Sequence, residues 1–95
     1  MRIRRQHHFA LHEAHERINE LADDLEKRFM LRSHWESENR LVFDGGGATG
    51  EVLIDEESVE LNARLSFALK LIEPTLRAVI EESLDEQIGE PPDES

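Results

Sequence analysis

Four of the chain's five histidines and two of its glutamates fall within HHFALHEAHE, residues 7–16. Imidazole and carboxylate groups ligate zinc and move protons, so this stretch is the first place to look for chemistry. A zinc-binding helix of the HExxH kind sets its two histidines four apart on one face, with the glutamate as base. HEAHE sets His12 and His15 three apart. Measured around a helix from Ile18 they project at about 120° and 60°, so His15 borders the apolar stripe and His12 faces solvent. A catalytic zinc also needs a third protein ligand beside an open position. His7, His8, Glu16 and His34 stand at no diagnostic spacing from the pair. The cluster therefore reads as architecture, and no metal site is expected.

The remaining candidates carry less. DGGGATG lacks the Gly-Lys-Ser/Thr ending of a phosphate-binding loop and lies between strands, where it reads as a hairpin connection. Glu56 with Glu57, and Glu81 with Glu82, fall in a turn and on a polar helix face, where they solvate the chain. No serine has a patterned His or Asp partner, and the absence of cysteine excludes disulfides, thiolate zinc sites and a thiol nucleophile. No catalytic residue and no cofactor are assigned, and the chain is expected not to be an enzyme.

The elements that position these residues follow from periodicity. Leu11, Ala14, Ile18, Leu21, Ala22, Leu25 and Phe29 recur at three- and four-residue intervals, the stripe of an amphipathic helix between about Phe9 and Met30. Glu13 with Arg17, Asp23 with Lys27 and Asp24 with Arg28 are spaced for ion pairs along its outer face. Before it, Arg2 to His8 is a short candidate edge strand. After Met30 the period shortens to two through LRSHWES, RLVF, EVLID and SVELNARL, which predicts four antiparallel strands with one buried face. Ile72, Leu76, Val79, Ile80, Leu84 and Ile88 form a second helical stripe, with Pro74 suited to a first turn and Gly89 to the helix end. The segment before Pro74 is expected to be a separate turn or bend. The fold class is α+β, ordered β-α-β-β-β-β-α, with two amphipathic helices on one face of an antiparallel sheet. Residues 1–89 form a single domain and residues 90–95 an acidic tail expected to be disordered.

Charge narrows the partners. Twenty-two acidic against 11 basic side chains give a net charge of −11, which argues against nucleic acid, whose binding needs Lys and Arg to neutralise phosphates, and against an anionic membrane. No apolar run approaches the ~20 residues of a membrane span, and a cytoplasmic location is expected. The basic start, with Arg2, Arg4 and Arg5, is placed to attract the acidic stretch that begins at Glu73. Trp35 reads as core on its strand. The sheet face away from the helices is mostly polar, with Val42, Leu53 and Ala48 as apolar additions suited to a homodimer contact or a hydrophobic surface.

Taken together the segments resemble the polyhydroxyalkanoic acid system proteins, a bacterial family whose genes are associated with polyester storage granules. The motifs are RIRRQHH with His8, HEAHERINELADDLEKRF, LRSHWES, RLVF, TGEVLID and VELNARLSFALKLIEPTLRAVIEESLDEQI, which together cover most of the chain. Two positions depart from the pattern: Met30 stands where such sequences often have Gly, and Glu73-Pro74 replaces a Lys-Gly-like entry to the last helix. The resemblance implies a non-enzymatic accessory role in polyhydroxyalkanoate storage, with the granule surface or its coating proteins as partners. The order of elements is also similar to a shortened helix-grip fold, which holds apolar ligands between a curved sheet and a C-terminal helix. This gives an alternative role, carriage of a small apolar or acyl ligand beside Leu76, Ile80 and Leu84. Trp35, and His8 as the histidine shared with the family pattern, complete the candidate contacts.

Overall fold

The computed structural model describes residues 1–88. Strand β1 (Arg2–Gln6) is followed by helix α1 (Leu11–Phe29), then by strands β2 (Arg32–Ser37), β3 (Arg40–Gly45), β4 (Ala48–Ile54) and β5 (Ser58–Leu65). A short helix α2 (Phe67–Lys70) and helix α3 (Glu73–Ile88) complete the order. The predicted α+β architecture holds, with α2 as the separate turn anticipated before Pro74. Gly89 and the 90–95 tail lie outside the described residues.

Strands β2 to β5 form an antiparallel meander, and β1 pairs with β5, giving the sheet order β1-β5-β4-β3-β2. In register, Ile3 meets Leu61, Val52 meets Leu61 from the other side, and Leu41 meets Val52. Alternation thus lines Ile3, Leu61, Val52 and Leu41 across one face, and both helices cover that face. Ala14, Ile18, Leu21, Ala22 and Leu25 of α1 are buried there, with Leu76, Ile80, Leu84 and Ile88 of α3. Full burial of each large side chain is worth about 1.5–3 kcal/mol, so this layer supplies the main drive to fold. Ala48 also lies on the covered face, packed against the core and paired with Leu65, which corrects its expected place on the outer one.

The outer face carries Val42 and Leu53 among ion pairs. Arg2 Nε meets Glu60 at 2.9 Å, Arg40 Nη2 meets Glu51 at 2.8 Å, and Arg40 also engages Glu36. The expected attraction between the basic start and the acidic helix is made through Arg5, whose guanidinium reaches Asp85 at 3.0 Å and Glu81 at 3.7 Å. On α1, the pairs Glu13–Arg17 and Asp24–Arg28 form, whereas Asp23 and Lys27 are not within ion-pair distance among the described residues. Spacing makes a pair reachable, but the small gain of an exposed pair does not outweigh side-chain entropy in every case.

Two turns fix how the layers meet. The β3–β4 hairpin turns through Gly46 and Gly47, with φ of 60° and 91°. A Cβ on Gly46 would lie 2.5 Å from the Phe29 carbonyl oxygen, so this turn accepts only glycine and presses against the end of α1. Helix α1 stops at Met30, which adopts the left-handed conformation at φ 59° and ψ 41°. This is the position favoured for glycine after a helix.

Candidate functional site

The histidine stretch is divided between two structural tasks. His7 is 3% exposed, and it is the buried hydrogen-bonding histidine. The Phe9 N–H donates to its Nδ1 at 3.1 Å, which leaves the proton on Nε2 to donate to the Asp55 carbonyl at 2.7 Å. The His7 N–H also donates to the Glu57 carbonyl at 2.9 Å, so one residue ties the β1–α1 link to the β4–β5 turn. That turn is held by Asp55, whose Oδ1 accepts from the backbone N–H groups of Glu57 and Ser58 at 2.8 and 2.6 Å. Those two bonds favour the carboxylate and hold its pKa below the usual value.

His8 is exposed in the same link, and His12 is exposed on α1. His15 is half-buried and stacks on Trp35 with ring centroids 3.8 Å apart. Trp35 Nε1 donates to Asn19 Oδ1 at 3.0 Å, so both polar and apolar parts of the indole are engaged in holding β2 to α1. Among the described residues no three His, Asp or Glu side chains converge in a metal-binding group.

An apolar cavity of about 120 Å³ lies between the sheet and the helices. Its walls include Ile18 and Leu25 from α1, Leu41 and Val52 from the sheet, and Leu76 and Ile80 from α3. Of the expected contacts, Leu76 and Ile80 therefore share one wall. Leu84 is fully buried and does not border the cavity, and neither Trp35 nor His8 reaches it. The polar wall groups are already paired, because Glu26 Oε2 accepts from the Ser33 N–H at 3.0 Å and from the Ser33 hydroxyl.

The cavity reaches the end of the molecule where α1 stops, the glycine hairpin turns and α2 begins, since Phe29, Leu31, Gly46, Leu69 and Ile72 also line it. The Ser66 N–H donates to the Gly47 carbonyl at 2.8 Å, and the Ser66 hydroxyl caps α2 by accepting from the Leu69 N–H. Four large apolar side chains stand in solvent around this end: Met30 at 81% exposed, Phe67 at 79%, Leu71 at 71% and Ile72 at 50%. Within α2 only Leu69 packs against the core, and no residue is fully buried. Ile72, expected on the stripe of the last helix, directly precedes α3, where it lines the cavity and is still 50% exposed. The signal was present in FALKLI, where five of six residues are apolar, more than one helical stripe can bury.

A second hollow, about 510 Å³ and shallow, lies on the outer sheet face over Thr49, Glu51, Asn62 and Arg64. Its charges largely satisfy one another: Arg40 pairs with Glu51, and Glu51 also accepts from Asn62 Nδ2 at 3.4 Å. The apolar end is thus the part of the surface with the largest unmet demand for contact.

Residues 1–88 match the model of the family described as "Putative polyhydroxyalkanoic acid system protein". No curated protein and no solved structure matches the chain. No helix among the described residues is long and apolar enough to cross a membrane.

Proposed function

Because the chain belongs to the polyhydroxyalkanoic acid system protein family, we propose that it is a non-enzymatic accessory protein of polyester storage that docks on the granule surface or its coat. The observation that carries this reading is the group of exposed apolar side chains Met30, Phe67, Leu71 and Ile72 at one end of an otherwise charged molecule. A polyester granule offers the apolar surface such an end would cover, at roughly 25 cal/mol for each Å² removed from water. The protein works from the cytoplasmic compartment in which such granules form. Co-sedimentation with granules from a polyester-storing cell tests the reading. Protein that stays wholly in the soluble fraction under storage conditions refutes it.

The cavity supports a second reading, carriage of a small apolar ligand. At about 120 Å³ it is smaller than the ~300 Å³ typical of ligand pockets, and closer to the ~150 Å³ that admits a single benzene ring. Only a short acyl chain matches that volume. Titration with short-chain 3-hydroxyacyl esters, followed by Trp35 fluorescence and calorimetry, tests it. No heat and no spectral change at millimolar ester would exclude it.

A further inference from the structure

We infer that the glycine-hairpin end of the molecule docks on an anionic lipid surface, with Phe67, Leu71, Ile72 and Met30 entering the apolar layer while cations around them meet the headgroups. The inference takes from the granule reading only that this end is a docking face. Its own support is the distribution of charge. Most arginines are paired with acids: Arg2 with Glu60, Arg5 with Glu81 and Asp85, Arg17 with Glu13, Arg28 with Asp24, Arg40 with Glu36 and Glu51, and Arg77 with Glu81. Among the described residues, Lys27, Arg32, Arg64 and Lys70 make no ion pair, and neither does Arg4.

Two of those five lie in the helix turns at the apolar end, Lys27 in the last turn of α1 and Lys70 in the last turn of α2, and Arg32 and Arg64 stand on the outer sheet face at the same end of their strands. Arg32 opens β2, and Arg64 lies opposite Thr49 beside the hairpin. The acids of this end are fewer: Glu26 turns inward onto Ser33, which leaves Asp23 one turn before Lys27, Asp44 opposite Arg32, and Glu73. The chain's excess of acid sits elsewhere, in the Asp55–Glu57 turn and along α3 from Glu81 to Glu86. The molecule measures 40 × 32 × 20 Å, and the Debye length at physiological salt is about 8 Å, so a surface at the apolar end responds to the local cations and not to the net charge of −11.

Exposed apolar side chains accompanied by lysine and arginine are the pattern of interfacial binding to anionic lipid. A second copy is the less favoured occupant. A two-fold contact would bring two copies of the same cation-bearing patch together, with like charge at the rim.

Sedimentation of the full chain with phosphatidylcholine vesicles, with and without phosphatidylglycerol, tests the inference, alongside bare polyester particles and gel filtration. Wild-type protein is expected to bind only the phosphatidylglycerol vesicles, and less tightly as salt is raised. The double variant Lys27→Gln/Lys70→Gln should lose about tenfold or more in partition, given roughly fivefold for each basic residue at such a surface. Phe67→Ser/Leu71→Ser should lose at least about tenfold, and because both side chains stand in solvent its circular dichroism should match wild type. Equal binding to neutral vesicles, unchanged binding by either variant, or a dimer that Phe67→Ser/Leu71→Ser dissociates would overturn the inference. Binding to bare polyester but to no vesicle would overturn it and leave the granule reading standing. Vesicle binding by a protein absent from purified granules would support the lipid surface and remove the granule reading.

Discussion

Replacing Met30 by glycine should stabilise the fold while removing a contact from the docking end. Met30 holds φ 59° and ψ 41° at the end of α1, a conformation that costs an L-residue about 1–2 kcal/mol. Glycine removes that cost but gives up about 0.5–1 kcal/mol of extra backbone freedom on folding. The lost side chain is 81% exposed, so little buried area goes with it. The balance is a gain of about 0.5 kcal/mol, or roughly 2–4 °C in Tm for a domain of this size. Met30→Ala is the control, since it removes the same side chain and keeps the left-handed backbone. It should be no more stable than wild type, leaving glycine ahead of alanine by at least about 0.5 kcal/mol. Urea unfolding followed by Trp35 fluorescence measures both, because the indole stacks on His15 of α1 and reports on the helix's attachment to β2. A glycine variant no more stable than the alanine variant would refute the assignment of strain to this position.

Three further outcomes follow from the packing. His7→Ala should cost about 2–4 kcal/mol in urea unfolding, because the Asp55 carbonyl and the Phe9 N–H both lose their partner, while His8→Ala should change stability by less than about 0.5 kcal/mol; equal effects would remove His7 from its pinning role. The folded-state pKa of Asp55 lies below its unfolded value, so its contribution is present above the ordinary carboxylate range of about 4 and is lost as pH falls through the lowered value. The stability gap between wild type and Asp55→Asn should therefore be widest near neutral pH and close in acid, and a gap independent of pH would contradict this. Ala63→Val, which places two methyl groups at the cavity wall, should raise stability by about 0.5–1 kcal/mol in thermal melts, whereas a loss of more than about 1 kcal/mol would mean the wall has no room for them.

Periodicity made the layers legible. The stripes from Leu11 to Phe29 and from Leu76 to Ile88, with the two-residue alternation between them, assign the long elements, because burying one face against the other is what these segments can do. The same alternation places Ile3, Arg5 and His7 on one side of β1, so His7 was the histidine that pattern marks for burial, yet the family likeness drew attention to His8. Arg5 facing the acids of α3 was legible as charge. The unformed Asp23–Lys27 pair was not, since spacing gives reach and side-chain entropy decides occupancy. Nor was the cavity, which arises from how Ala22, Ala48 and Ala63 leave volume between layers that sequence alone does not set at fixed separation.

Met30 and Pro74 both shape the exposed apolar end. Pro74, second in α3, has no N–H and a ring that would collide with the carbonyl of Lys70 in a continuous helix. Ile72 already stands one turn before Leu76, whose N–H donates to its carbonyl at 2.9 Å, so the proline alters the path of the chain before it. There Leu71 and Ile72 make tight backbone bonds to Ala68 and Leu69, and Ile72 stays half in water. Met30, for its part, keeps a large apolar side chain at a position where glycine would relieve the backbone. Met30 gives up local stability, and both residues leave apolar surface exposed at the same end. Both residues therefore enlarge the apolar surface on which the proposed contact rests.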